Sequence, residues 1–207
     1  NLGIQAARYP LIARMDGHAI AAPDYLRQCV RVMAESGADC VGGRWEYAGE
    51  GWTGRAIAAA MESRFGVGTS RWRGSAASGE ADSVPYGFYR RERLLALGGF
   101  NETYAEANED YELNYRLRAG GGRVVYSPDI RMTYFVRSSL AALGRQYLRY
   151  GSGKVRMLSQ HPASIQPRHM MPPLLVAGLV IGAVLQALGG FWRAAYGAGM
   201  SLYLLLV

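Results

Sequence analysis

Charge is what the end of this chain lacks. Residues 172–207 contain no Asp, Glu or Lys and only Arg193, whereas residues 1–171 carry all 16 acids and 22 of the 23 bases. The net charge is therefore about +6 before residue 172 and +1 after it, a division that suits two different solvents. Acid is also missing from residues 131–171, which hold Arg131, Arg137, Arg145, Arg149, Lys154, Arg156 and Arg168. Cysteine is scarce: Cys29 and Cys40 stand alone, without CxxC spacing, and fit reduced cytosolic thiols. No secretory leader is present at the start, although a chain that begins without Met leaves a lost leader open. No internal repeat and no recognised DNA or RNA motif is found, so nucleic-acid binding is a poor explanation of a pI near 9.6.

What stands in the uncharged tail is PPLLVAGLVIGAVLQALGGFW, residues 172–192. About twenty mostly apolar residues at 1.5 Å each suffice to cross a hydrocarbon core of roughly 30 Å, and Gln186 with the Gly and Pro residues does not forbid this. A buried core helix is the alternative. The apolar run after Arg193 is too short for a comfortable span. The acid-free basic stretch beside a membrane helix follows the positive-inside tendency and expects attraction to anionic lipid. The globular part is accordingly expected on the cytoplasmic side.

Ahead of the tail, apolar runs alternate with helical spacings. YPLIARM (9–15) reads as a short strand ending at Asp16-Gly17-His18. Pro23 opens a helix with Leu26, Cys29, Val30 and Met33 on one face, running to Gly37. Residues 39–45 read as a strand, 53–65 as a helix and 69–83 as a mobile loop. A strand near 84–89 leads to the helix ERLLALGG, a strand follows at 123–127, and a helix runs from about 138 to 150. Strands alternating with helices predict an α/β domain.

Two places in this pattern carry chemistry. In GGFNETYAEANEDYELNYRLRAGG (98–121), Glu109 and Asp110 open a helix packed by Leu113 and Leu117, with Arg116 and Arg118 before a stop at Gly120. A carboxylate at a helix start lies among unpaired N–H groups, which holds it ionised and suits a general base; first-turn acids are equally favoured for stability alone. Asp16 and His18 sit on a turn at the carboxyl end of a strand, where α/β sheets bind ligands. The pair can reach one divalent cation, and an Asp capping a turn beside a surface His is the plainer alternative.

Read in order, RMDGH (14–18), YGFYRRERLLALGGFNE (86–102) leading to ED (109–110), and QYLRY (146–150) resemble the membrane-associated family 2 glycosyltransferases, most closely the bacterial succinoglycan-type exopolysaccharide enzymes. The match covers most of residues 1–160. It implies a GT-A fold, a Rossmann-like sheet that binds a nucleotide-sugar. Asp16 and His18 would occupy the DxD-like metal motif in a DxH form, holding Mg²⁺ or Mn²⁺. Asp110 would be the catalytic base and Glu109 its positioning neighbour. Gln146, Arg149 and Tyr150 match QxxRW with Tyr for Trp, and Arg149 would help neutralise the donor diphosphate unless it is simply a juxtamembrane base. Tyr86 and Gly87 would lie near the acceptor.

The resemblance further implies an inverting transfer from a nucleotide-sugar, a UDP-sugar by preference, to a lipid-linked saccharide at the bacterial inner membrane. A processive synthase or a non-catalytic membrane scaffold are the competing readings. The expected division is a partial GT-A domain over 1–135, a basic interface segment over 136–171 and membrane helix or helices over 172–207. Family enzymes begin with a strand–helix unit that grips the nucleotide base, for which residues 1–8 are too few. Truncation at both ends, weak donor binding and no turnover by these residues alone are therefore expected.

Overall fold

The computed structural model describes residues 1–63, 75–104 and 107–206. It divides into two units, Asn1–Ser164 and Ile165–Val207. The first contains, in order, α1 (Leu2–Ala6), β1 (Leu11–Ala13), β2 (Ala19–Ala21), α2 (Tyr25–Ser36), β3 (Cys40–Ala48) and α3 (Gly51–Glu62). There follow β4 (Gly79–Glu80), β5 (Phe88–Arg90), α4 (Arg91–Ala96), α5 (Glu109–Ala119), β6 (Val124–Phe135) and α6 (Leu140–Gln160). Of the loop expected over 69–83, residues 69–74 lie outside the described residues.

The strands form one mixed sheet in the order β1-β5-β3-β6-β2, with β4 also on β6. Among the described residues only β3 and β6 run parallel; the other pairs are antiparallel. Successive residues in a strand face opposite sides, and here both sides are dry. Val41, Phe88 and Val125 join Tyr25, Cys29, Val32 and Met33 of α2 on one face. Their neighbours Cys40, Tyr89 and Val124 join Ile4, Leu94, Leu113 and Leu117 of α1, α4 and α5 on the other. This double burial is why the strands read as continuous apolar runs.

Three elements depart from the sequence reading. The inner face of α2 is Tyr25, Cys29, Val32 and Met33, while Leu26 and Val30 are 57% and 48% exposed. The helix turns so that Tyr25 can donate its hydroxyl hydrogen to the Tyr86 carbonyl at 2.8 Å. The strand expected to stop at 127 runs on to Phe135, because the register shift after Gly43 leaves residues 128–130, including Pro128, unpaired with β3. Gly43 permits the close approach: a Cβ there would lie 1.8 Å from the Ile130 carbonyl oxygen. Likewise α6 continues ten residues beyond the expected end, to Gln160.

The second unit is α7 (Pro167–Leu185), a 3-10 turn at Gln186–Leu188 and α8 (Gly190–Leu206). Residues Pro167–Leu188 are long and apolar enough to cross a membrane, with mean hydropathy 2.0 and none of the apolar stretch buried. Pro172 and Pro173 lie inside α7, a placement tolerated in membrane helices. Cys29 and Cys40 are buried and unpaired, and burial pushes the Cys29 thiol up to about 12, which suppresses its reactivity.

Candidate active site

The carboxyl end of β1 and the start of α5 meet. After Ala13 the chain stays extended, and the Arg14 amide donates to the Gly87 carbonyl at 3.2 Å, prolonging the pairing of β1 with β5. Residues two apart in extended chain share a side. Arg14 and Asp16 accordingly point together, and Arg14 Nη2 donates to Asp16 Oδ1 at 2.9 Å. The same nitrogen reaches Glu109 Oε1 at 2.6 Å, and Nη1 lies 3.7 Å from Asp110 Oδ2. One guanidinium thus gathers three carboxylates from segments more than ninety residues apart.

Electrostatics follow from that geometry. Burial alone would lower the Arg14 pKa, but the combined field of Asp110, Asp16 and Glu109 outweighs it and holds the guanidinium charged. Glu109 behaves opposite to the dipole expectation: burial, then the neighbouring charge of Asp110, raise its pKa against the pull of Arg14. Asp110 Oδ1 accepts from the Tyr111 amide at 2.7 Å, leaving Oδ2 only loosely engaged. The predicted helix is present from Glu109 to Ala119, with Leu113 and Leu117 buried and Gly120 at its end. Its N-cap Asn108 has φ +66° and does not cap its own helix; it donates to the Tyr150 carbonyl of α6 at 3.1 Å.

A second group of residues forms an aromatic wall. Trp45 stacks on Tyr134 with centroids 4.5 Å apart and planes 6° from parallel. Tyr86 lies against Trp45 at 5.3 Å, and His18 meets the edge of Tyr134 at 5.0 Å. Tyr86 has φ +46°, a strained conformation for a bulky residue, and its hydroxyl is buried without a hydrogen-bond partner among the described residues. Burial, then the charge of Asp16, push that hydroxyl's pKa up, so it stays neutral.

Gln146 is buried and joins this wall to α6: Nε2 donates to the Tyr134 hydroxyl at 2.9 Å and the Tyr150 hydroxyl at 2.7 Å. Its Oε1 accepts from Arg137 at 3.2 Å. Enclosure pushes Tyr150 up to about 12, with the charges of Tyr134 and Asp110 contributing. The structure therefore brings together Asp16, Glu109 and Asp110, and separately His18, Tyr86, Gln146 and Tyr150. It does not bring in Arg149, which is exposed on α6 with no hydrogen bond or ion pair to a described residue.

Arg14, Asn108, Tyr134 and Trp45 are the site residues that sequence reasoning gave no role. For Arg14 a signal existed, since it lies two residues before Asp16 in an extended run. Nothing local marked the others, whose partners are distant in sequence.

Among the described residues no three His, Cys, Asp or Glu side chains converge as a ready-made metal cage. Mg²⁺ needs no such cage, being commonly held by one or two carboxylates together with substrate phosphates. The three carboxylates face a single guanidinium and so leave excess negative charge, which fits a divalent cation at Asp16.

The glycosyl transferase family group 2 model matches residues 11–207. The chain is 33% identical to the succinoglycan biosynthesis protein ExoA of Rhizobium meliloti (strain 1021) over 201 residues, 92% of this chain and 60% of that protein. It thus spans about 60% of the length of that curated relative. Among solved structures, it resembles the mannosyltransferase PcManGT of Pyrobaculum calidifontis in complex with GDP-Man and Mn²⁺, with TM-score 0.59 and 16% identity, over 98% of this chain and 58% of that one. It also resembles GalNAc-T7 with UDP, GalNAc and Mn²⁺, with TM-score 0.51 and 14% identity, over 76% of this chain and 33% of that one. The expected GT-A-type α/β fold is the fold present. With a family model matched over nearly its whole length, the chain belongs to glycosyl transferase family group 2.

Proposed function

We propose that this chain carries the acceptor-activating half of an inverting glycosyltransferase that moves a sugar from a nucleotide-sugar to a lipid-linked saccharide in exopolysaccharide synthesis. The observation that carries this reading is the meeting of Asp16 with Glu109 and Asp110 around Arg14. It unites a diphosphate-facing turn with an acidic helix start in one site.

Asp110 is the base. Its side chain is partly exposed and its Oδ2 only weakly paired, so it can take the proton of an acceptor hydroxyl as that oxygen attacks the anomeric carbon. Glu109, gripped at 2.6 Å by Arg14, fixes the helix start. Asp16 would hold Mg²⁺ or Mn²⁺, which when bound supplies positive charge for the departing diphosphate; His18, whose ring here lies against Tyr134, would have to leave that contact to join it. The two structural relatives carry Mn²⁺ with a nucleotide or nucleotide-sugar, which supports a metal and a donor of that class here. A single displacement inverts the anomeric centre, and no second nucleophilic carboxylate is required.

The unpartnered Tyr86 hydroxyl beside Trp45 suits a sugar hydroxyl, and the Gly87 carbonyl, accepting from the Arg14 amide, fixes the start of the acidic turn. Gln146 acts by fixing Tyr134 and Tyr150 rather than by meeting substrate. Arg149 remains available for an anionic group.

The 1–135 catalytic, 136–171 interface and 172–207 membrane division is retained as a proposal, with the catalytic unit at the cytoplasmic face of the inner membrane. The outward side of α6 supports it: Leu140, Tyr147, Leu148, Val155 and Leu158 are exposed at helical spacing. The test is mass spectrometry of products after membranes containing the full-length protein are incubated with a panel of UDP- and GDP-sugars. Transfer by the wild type and at most about a hundredth of it by Asp110→Asn is the expected result; equal transfer by both would exclude Asp110 as base.

A further inference from the structure

The start of α5 is held from two sides, and Arg14 holds one of them. On the other side lies α6. Asn108, the residue before Glu109, turns into the left-handed region and sends its Nδ2 to the Tyr150 carbonyl instead of capping α5. One helical turn later on α6, Gly153 faces the same side chain. A Cβ built on Gly153 would lie 2.1 Å from Asn108 Nδ2 and 3.1 Å from the Ala107 carbonyl oxygen. Gly153 is buried and in the middle of a helix, where Gly is otherwise the poorer choice than Ala. Its lack of a side chain is what lets the two segments touch.

Further along, the same two helices stay in register. Lys154 Nζ lies 3.2 Å from the centroid of the Tyr111 ring, and Met157 is buried with Tyr104 and Tyr111. Tyr111 donates its hydroxyl hydrogen to the Ser164 carbonyl at 2.7 Å. These contacts set the height of α5 along α6, whereas the contact of Asn108 with Gly153 sets the distance of its first turn.

We propose that Asn108 and Gly153 form a clasp that positions the Asp110 carboxylate, an inference that rests on the reading of Asp110 as the base. Neither residue touches substrate. Both act through the backbone that carries Glu109 and Asp110.

The test uses membranes containing the full-length protein, with nucleoside diphosphate release measured for the nucleotide-sugar that the wild type turns over. Gly153→Ala displaces the Asn108 amide from the Tyr150 carbonyl and crowds the Ala107 carbonyl, and is expected to lower kcat by about tenfold or more, with the donor KM changed by less than about twofold. Asn108→Gly keeps the left-handed backbone and removes the clashing group; placed on Gly153→Ala it should restore kcat to within about threefold of Asn108→Gly alone. Asn108→Asp, which keeps the shape but loses the donor to the Tyr150 carbonyl, should also lower kcat at constant KM and decides the matter if Gly153→Ala does not fold. Wild-type kcat in Gly153→Ala, or no rescue by Asn108→Gly, would overturn the clasp. Asp110→Asn run alongside separates the two ideas: wild-type turnover by that variant sinks the base assignment, whereas its loss of turnover beside a normal Gly153→Ala sinks the clasp alone.

Discussion

Two charged clusters, built on Glu109–Asp110 and on Glu112, sit one turn apart on α5 and have opposite character. At the first turn, Asp16, Glu109 and Asp110 share one guanidinium, with side chains 25–30% exposed. Three residues on, Glu112 is fully buried and matched by Arg116, whose Nε and Nη2 reach its two oxygens at 2.6 and 2.8 Å. Arg116 also donates to the carbonyls of Leu97 and Gly99, tying α5 to the turn behind α4. His161 adds Nε2 at 3.4 Å from Glu112. One cluster is open and short of positive charge; the other is closed and saturated. Unbalanced, accessible charge is what a site for a cation and a sugar needs, while balanced, buried charge fixes structure.

Two substitutions sharpen that contrast most. Asp110→Asn is expected to reduce transfer by about 10²–10⁴ with an unchanged thermal midpoint, measured on the full-length protein in membranes. Glu112→Ala should do the reverse, costing about 3 kcal/mol of stability because it strands Arg116, while activity per folded molecule persists. A stable Glu112→Ala protein, or an unstable Asp110→Asn protein, would erase the distinction between the clusters.

The difference also explains what could be read in advance. The ends of α5, its buried leucines and the turn at Asp16–His18 follow from local spacing, and the structure has them where spacing puts them. Glu112 differs from Glu109 in sequence by having Arg116 four residues on, a local i,i+4 pair; that it is fully buried, with His161 also against it, is what spacing does not record. The α2 face was misread because Tyr25 is held by a distant carbonyl, which periodicity does not record. The extension of β6 past Pro128 depends on a bulge opposite Gly43, again a partner far away in sequence. Local order was legible, and long-range pairing was not.

Arg14→Gln probes the open cluster from its positive side. Removing the one guanidinium leaves three carboxylates facing each other, so Mn²⁺ should bind several-fold more tightly by electron paramagnetic resonance titration. Turnover should fall about tenfold, because Glu109 and Asp110 lose the group that aligns them. Weaker Mn²⁺ binding would mean that Arg14 organises Asp16 for the ion rather than competing with it.

The smallest effect concerns Glu109, where burial and Arg14 pull in opposite directions. Burial, with the charge of Asp110, raises its pKa above the ordinary 4.5, so the folded chain holds that proton more tightly than the unfolded chain. The stability contributed by the neutral form is present in full below the ordinary carboxyl range and is lost as pH rises through the raised folded value. Glu109→Gln, which imitates the neutral form and can still accept from Arg14, should therefore slightly raise the thermal midpoint at pH 7. The gain should shrink toward zero below about pH 4.5, where the wild-type side chain is itself protonated. A lowered midpoint at pH 7 would show that the ion pair with Arg14 outweighs desolvation, and would place Glu109 with Glu112 among the structural acids of α5.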